Sequence, residues 1–423
     1  MPATTEESTP PDMATTTRVS SGLLSKSSVF TGFVSVLHVT VNPAGCGDPG
    51  QALQGFSPAA GAGPLVDGYR KDCQFMQGER FAGLLAPFAP TTGVLSMPIQ
   101  MTVTTESFPI AGTFTISRGS KTEAKVVTVR LTDGVFVGQG ECVPYARYGE
   151  TVESVVDVLS ALVPEVAGGL DRVGLQTRLK PGAARNALDC AFWDLEAKRA
   201  GLPVWQLAKL QEPKPLPVTY TLSLGTPESM QAAAEKEAAR PLLKVKLGGE
   251  GDIERIRAVR AGAPHSAIIV DANEGWSLEQ YKILAPVFLD LGVKLVEQPF
   301  PAGADDALFG LDRVLPVCAD ESCHDTASLA ALKGKYDAVN IKLDKTGGLT
   351  EALAMRDAAV EAGFEIMIGC MVGSSLAMAP AFLVGQGAAF VDLDGPLLLA
   401  RDREPGIAYD GAVMGVPPRG LWG

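Results

Sequence analysis

The chain is poor in the groups that bind soft metals. Its 423 residues hold three histidines (His38, His265, His324) and seven cysteines, and no two cysteines are spaced as a CxxC pair. No short secreted disulfide framework fits that usage, so reduced thiols in a cytoplasmic protein are expected. Positive charge is also short. Lys and Arg total 36 against 48 Asp and Glu, a net charge of −12, which disfavours binding to nucleic acid or to an anionic membrane. No apolar run reaches the eighteen or so residues that span a bilayer. The nearest candidate, Val29 to Val41, is broken by Thr31, Gly32, Ser35 and His38, and it makes a poor signal peptide.

Residues 1–96 also lack a sustained helical or strand period. They are rich in Ser, Thr, Pro, Gly and Ala, with turn-forming stretches around Asn42–Gly50 and Ser57–Gly63. A disordered extension is expected there, or sequence ahead of a start at Met97 or Met101. A small N-terminal domain is the alternative.

From Met97 the pattern changes. Met101–Thr105, Gly112–Ser117, Ala124–Leu131 and Val135–Cys142 read as strands, the last following a turn at Asp133 and Gly134. Thr151–Val163 has helical spacing. Ala184, Ala187, Leu188, Ala191, Phe192 and Leu195 then follow i, i+3, i+4, i+7, i+8 and i+11, with Gly201 and Pro203 as the stop. Residues 97–212 are therefore expected to form an α+β unit.

Beyond residue 212, short β-branched runs alternate with helical stretches. The runs are Val218–Leu224, Leu242–Leu247, Ala267–Val270, Val293–Val296, Val317–Ala319, Ala338–Ile341, Glu365–Ile368 and Phe390–Leu393. Buried strands separated by helices imply a parallel sheet, and eight is the number that closes a TIM-type barrel. An open doubly wound sheet is the rival, but no Gly-rich phosphate fingerprint follows the first strand.

Most of these runs stop at ionisable residues: Lys244 and Lys246, Asp271, Glu297, Asp320 and Glu321, Lys342 and Asp344, Asp392 and Asp394. In a barrel these C-terminal ends meet at one mouth, where active sites of this fold lie. A single charge at a strand end is usually a loop-facing surface residue. Six strands ending that way make a shared site the better explanation, because buried charges must pair or bind a metal. Asp271, Glu297 and Asp320 come from adjacent strands and offer only oxygen, which suits Mg²⁺. A carboxylate cluster neutralised by lysines is the purely structural alternative.

Strands two and six of an eight-stranded barrel are half a turn apart, so Lys246 and Lys342 should face each other. A carboxylate substrate between them could lose its α-proton to one lysine and regain a proton from the other on the opposite face. The enediolate formed between the two steps would be stabilised by Mg²⁺. Mg²⁺ and Lys244 are expected to lower the pKa of the basic lysine. No histidine ends a late strand, which disfavours a histidine base. Asp392 and Asp394 alternate by two and can share a face, where they would attract a cationic group. A turn role beside Gly395 and Pro396 is the plain alternative.

Residues 99–415 resemble the muconate-lactonizing subgroup of the enolase superfamily, and within it the dipeptide epimerases. The resemblance rests on Lys244-Val245-Lys246, Val270-Asp271-Ala272-Asn273, Val296-Glu297-Gln298-Pro299, Ala319-Asp320-Glu321-Ser322, Asn340-Ile341-Lys342 and Asp392-Leu393-Asp394-Gly395. It implies an α/β fold: an N-terminal α+β capping domain over a modified TIM-type (β/α)₇β barrel spanning 213–395, with 396–423 returning towards the cap. It implies Mg²⁺ on Asp271, Glu297 and Asp320, with Lys246 and Lys342 as the acid/base pair. Asp392 and Asp394 would hold the N-terminal ammonium of a small dipeptide such as L-Ala-L-Glu or L-Ala-D-Glu, epimerised at the C-terminal residue. Thr221, Lys244 and Cys370 match substrate-side positions, and Arg118 in a cap loop would meet a glutamate side chain. A homo-oligomer is compatible with this reading. The rivals are an N-acylamino acid racemase, o-succinylbenzoate synthase or muconate cycloisomerase of the same subgroup, and a non-catalytic barrel that serves as a binding protein.

Overall fold

The computed structural model describes residues 97–423; the extension expected over 1–96 lies outside the described residues. The chain begins with a three-stranded antiparallel sheet: β1 (Gln100–Ile116), β2 (Gly119–Thr132) and β3 (Val137–Cys142), in that order. Two of the expected strands, Met101–Thr105 and Gly112–Ser117, are one long strand. A register shift between Pro109 and Phe114, with Gly112 at φ 100°, bends β1 without ending it. The turn that does end it is Ser117 and Arg118, between the paired residues Ile116 and Gly119.

Helices cover this sheet. Thr151 caps the Val152–Ala161 helix through a reciprocal capping box with Ser154. The expected second helix runs from Ala183 to Ala200 and stops at Gly201, which adopts the left-handed conformation. It lies directly on β3: a Cβ at Gly140 would come 2.1 Å from the Ala187 carbonyl oxygen. Only glycine permits that approach.

After β4 (Leu216–Pro217), the eight expected runs appear as strands. They are β5 (Tyr220–Leu222), β6 (Leu242–Lys246), β7 (Ala267–Asp271), β8 (Val293–Glu297), β9 (Val317–Ala319), β10 (Ala338–Ile341), β11 (Glu365–Gly369) and β12 (Phe390–Asp392). All neighbours pair in parallel. The first and last meet where the Thr219 amide donates to the Val391 carbonyl at 2.8 Å, which draws the ring together. β13 (Tyr409–Asp410) and β14 (Val413–Met414) form a small sheet with β4.

Alternation explains why each strand reads as apolar and then ends in charge. Ile269, Leu295, Cys318, Ala338 and Met367 form their own buried cluster, while their neighbours Val270, Val296, Val339 and Ile368 join the large core shared with the helices. Two residues beyond the first set stand Asp271, Glu297, Asp320, Asn340 and Gly369. Period two therefore lifts the polar residues directly above an apolar plug.

The cap is fastened to the barrel near β10. Asn186 donates to Asp344 at 2.8 Å, and so does the Val143 amide at 3.0 Å. Arg185 donates to the Thr346 carbonyl at 2.6 Å. From the C-terminal segment, Arg403 reaches Glu141 at 2.6 Å and Glu106 at 2.8 Å, both on cap strands.

Candidate active site

Asp271, Glu297 and Asp320 end or directly follow β7, β8 and β9, are almost fully buried, and bring carboxylate oxygens within 4.8 Å of one another. Three buried acids at that spacing require compensation. Lys246, at the end of β6, places its ammonium 2.6 Å from Asp271, and Lys342, just after β10, lies 2.7 Å from Asp320. Lys244 lies 2.6 Å from Glu297 and 3.4 Å from Asp271. The two lysines expected as bases thus approach the acid cluster from strands four apart in the ring, on different carboxylates.

Two further side chains complete the cluster. Lys345 donates to both the carboxylate and the carbonyl of Asp320 at 2.6 Å. Asn340 donates to Glu297 at 2.7 Å. The sequence reading assigned neither a role. Asn340 lies two residues before Lys342 on β10, and Lys345 one helical turn after it, and that spacing is the only signal for them.

The backbone after the ligand strands is strained. Asn273, Glu274 and Gln298 adopt φ values of 46°, 66° and 35°, in the left-handed region that non-glycine residues seldom occupy. Gln298 is held there by its side chain. Its carbonyl accepts from the Asp320 and Ser322 amides at 2.9 and 3.1 Å, and its amide donates to Tyr336 and Ser322.

Protonation follows charge. Burial would raise Asp320, but Lys342 and Lys345 hold it well below the carboxylate range. Burial, then Asp271, raises Glu297. Burial pulls Lys342 down, yet Asp320 and Glu297 outweigh it and keep the ammonium above the usual lysine range. The expected lowering of a basic lysine is therefore not a property of the polypeptide alone. It requires the carboxylates' charge to be taken up elsewhere, as a divalent cation between them would do. The donor set fits such an ion: three carboxylates, with the Glu297 Oε2 and Asn273 Oδ1 atoms buried and without hydrogen bonds. Glu297 Oε2 does face Lys244, but as an ion pair outside hydrogen-bond geometry.

Asp392 and Asp394 are buried across the barrel. Asp392 accepts from Thr219 at 2.6 Å and from Lys244 at 2.7 Å. Asp394 accepts from the Thr221 backbone amide at 2.6 Å. Burial, then the charge of Asp392, pushes Asp394 up to about 7. Cys370, beside them after β11, is a free thiol that burial and these two acids push up.

Above the acid cluster opens a cavity of about 710 Å³, large enough for a small peptide. Its lining includes Lys246, Lys342, Asp320 and Cys370 from the barrel, and Phe114, Ile116, Arg118, Tyr145 and Tyr148 from the cap. Arg118 reaches the mouth as expected, but its guanidinium is already engaged, 2.7 Å from Glu321 and 3.2 Å from Glu274. His324 follows β9 and sits edge-on to Tyr148, with ring centres 4.9 Å apart. Its nearest polar contact is the Glu321 carbonyl.

Family models place this arrangement. Residues 98–208 match the mandelate racemase/muconate lactonizing enzyme N-terminal domain, and 226–394 match the enolase C-terminal domain-like family. The L-Ala-D/L-Glu epimerase of Escherichia coli K12 is 46% identical over 306 residues, 72% of this chain and 95% of the relative. The chain belongs to the mandelate racemase/muconate lactonizing family of the enolase superfamily. Within that family, an N-acetyl-D-glutamate racemase of a Pseudoalteromonas species is 44% identical over 70% of this chain and 95% of its own. An Agrobacterium tumefaciens family member with homology to dipeptide epimerases, solved with sodium and L-Ala-L-Glu bound and its loop ordered, is 53% identical. It matches with a TM-score of 0.76 over 77% of this chain and all of its own. The Enterococcus faecalis dipeptide epimerase, solved with Mg and L-Leu-L-Tyr, is 28% identical. Its TM-score is 0.71 over 77% of this chain and 99% of its own.

Proposed function

We propose that this protein is a Mg²⁺-dependent dipeptide epimerase that inverts the α-carbon of the C-terminal residue of substrates such as L-Ala-L-Glu and L-Ala-D-Glu. The observation that carries this reading is the placement of Lys246 and Lys342 on Asp271 and Asp320 from opposite strands of the ring. Two bases facing one carbon from two sides are what inversion needs. Asp271, Glu297 and Asp320 would hold the ion, which when bound would neutralise charge on the substrate carboxylate. One lysine takes the α-proton and the other delivers a proton to the opposite face.

Lys244 links Glu297 to Asp392 and fixes the relative position of the two ends of the site. Asp394 is the less compensated of the aspartates, because Lys244 already pairs with Asp392. It is therefore the stronger candidate for the substrate's ammonium, with Asp392, Thr221 and Cys370 around it. The cap hairpin carrying Arg118 covers the C-terminal side chain. We take 97–212 as the cap, 213–395 as the barrel and 396–423 as the returning segment. Among the described residues no helix is long and apolar enough to cross a membrane, and the free cysteines favour a cytoplasmic enzyme.

A second reading, racemisation of an N-acylated glutamate, is favoured by the 44%-identical racemase. Asp392 and Asp394 weigh against it, since an acyl group brings no cation to two buried carboxylates. The test is incubation of L-Ala-L-Glu with enzyme and Mg²⁺ in D₂O. Deuterium at the glutamate α-carbon, with appearance of the D-epimer, is the expected result. Absence of both for every dipeptide tried would remove the proposal.

A further inference from the structure

The parallel ladder runs round the ring from β5 to β12 and does not continue between these two strands. Both aspartates of the site stand at that seam. Asp392 accepts from Thr219 and Asp394 from the Thr221 amide, each at 2.6 Å. The chain on one side of the seam therefore holds the acids carried by the chain on the other, and the spacing across it sets where the two carboxylates lie.

The C-terminal hairpin spans this seam. Its strand β14 pairs with β4, Met414 opposite Leu216 and Val413 opposite Pro217, and the Ala412 carbonyl accepts from the Val218 amide at 2.8 Å. These bonds anchor it to the chain entering β5. Its other strand, β13, carries Tyr409, whose hydroxyl donates to the Leu393 carbonyl at 2.8 Å. Leu393 stands between the two aspartates and is fully buried, so its carbonyl depends on a protein donor. Burial, then the neighbouring Cys370 and Asp394, raise the Tyr409 hydroxyl, which keeps it protonated and able to donate.

An outer tie holds the same hairpin. Arg240 donates to the Gly411 carbonyl at the hairpin's turn, at 2.9 Å, and its guanidinium stacks on Tyr220 at the start of β5, 4.4 Å from the ring centre.

We infer that the C-terminal hairpin sets the geometry of the ammonium site, and that Tyr409 is its positioning residue. This rests on the dipeptide reading above. Tyr409 acts through the Leu393 peptide, which it fixes, and so holds the spacing of Asp392 and Asp394 on either side. A charge-assisted contact weakens steeply as distance and angle leave hydrogen-bond values, so a small shift of either carboxylate reaches the substrate. A tie that only fastened the segment could end at β4, where the hairpin is already paired.

The test measures kcat and KM for L-Ala-L-Glu beside the inhibition constant of N-propionyl-L-glutamate, a competitor of the same length without the ammonium. Tyr409→Phe keeps the ring and removes the donor, so KM should rise by about tenfold while kcat and the competitor's constant stay within about twofold. Arg240→Met loosens the hairpin from outside and should raise KM in the same direction by a smaller factor; it decides alone if Tyr409→Phe does not fold. An unchanged KM, a rise shared equally by the competitor's constant, or a fall in kcat alone overturns the assignment. Failure of the unmodified enzyme to epimerise L-Ala-L-Glu would instead remove the dipeptide reading, and this assignment with it.

Discussion

The Lys244 ammonium lies 2.7 Å from Asp392, and through it the acid cluster on one side of the barrel is joined to the aspartate pair on the other. Its second partner, Glu297, is 2.6 Å away. Removing this cation would leave two buried carboxylates without their counter-ion. Lys244→Met should therefore lower stability by about 3–5 kcal/mol, read as a fall in the urea midpoint. An unchanged midpoint would show that solvent or rearrangement supplies the missing charge.

Lys246→Ala and Lys342→Ala should each reduce epimerisation by about 10³-fold or more. Each variant retains one base, so α-proton exchange with D₂O should persist for one epimer only, and the favoured epimer should differ between the two. NMR of the α-position reads this directly. Near-normal epimerisation by either variant would contradict a two-base site.

Chelation should abolish activity and added Mg²⁺ should restore it. Glu297→Gln removes one charged oxygen from the cluster, so calorimetry should show Mg²⁺ binding weakened by about tenfold or more. Equal affinity in the variant would place the ion elsewhere.

The barrel was legible because a parallel strand covered by helices must be apolar on its outer face, and this one is also apolar on the lower part of its inner face. Leu242–Lys246, Val293–Glu297 and Ala338–Ile341 fall within a residue of where the pattern put them. The charged ends were legible for the same reason: they follow buried apolar residues, whereas Lys294 within β8 is exposed. The bend at Gly112 was not, since a bulged strand and two separate strands have the same letters. Lys345, Asn340 and Gln298 escaped because hydrogen bonds to the carboxylate or backbone of other strands define their roles, and their short spacing from Lys342 or Glu297 does not reveal those partners. The engagement of Arg118 depends on Glu274 and Glu321, more than 150 residues away in sequence.

The pH profile should report Asp394. Below its value of about 7 the free enzyme holds this acid protonated, and a neutral carboxyl cannot offset a substrate ammonium. As pH rises through about 7 the group ionises, so kcat/KM for L-Ala-L-Glu should climb. It should turn down near pH 8, where the peptide's own α-amino group loses its charge. Asp394→Asn should flatten the rising limb. A rising limb that survives in that variant would assign it to another group.

In the proposed function the site holds a dipeptide by both ends, with its carboxylate at the acid cluster and its ammonium at Asp392 and Asp394. The most direct measurement is kcat/KM for L-Ala-L-Glu against N-propionyl-L-glutamate, which has the same length and lacks only the ammonium. Loss of a charge-assisted contact, together with a buried aspartate left unpaired, should favour the dipeptide by about a hundredfold or more. Equal or faster turnover of the acylated compound would rule out an ammonium-binding role for the two aspartates and make this protein an N-acylamino acid racemase.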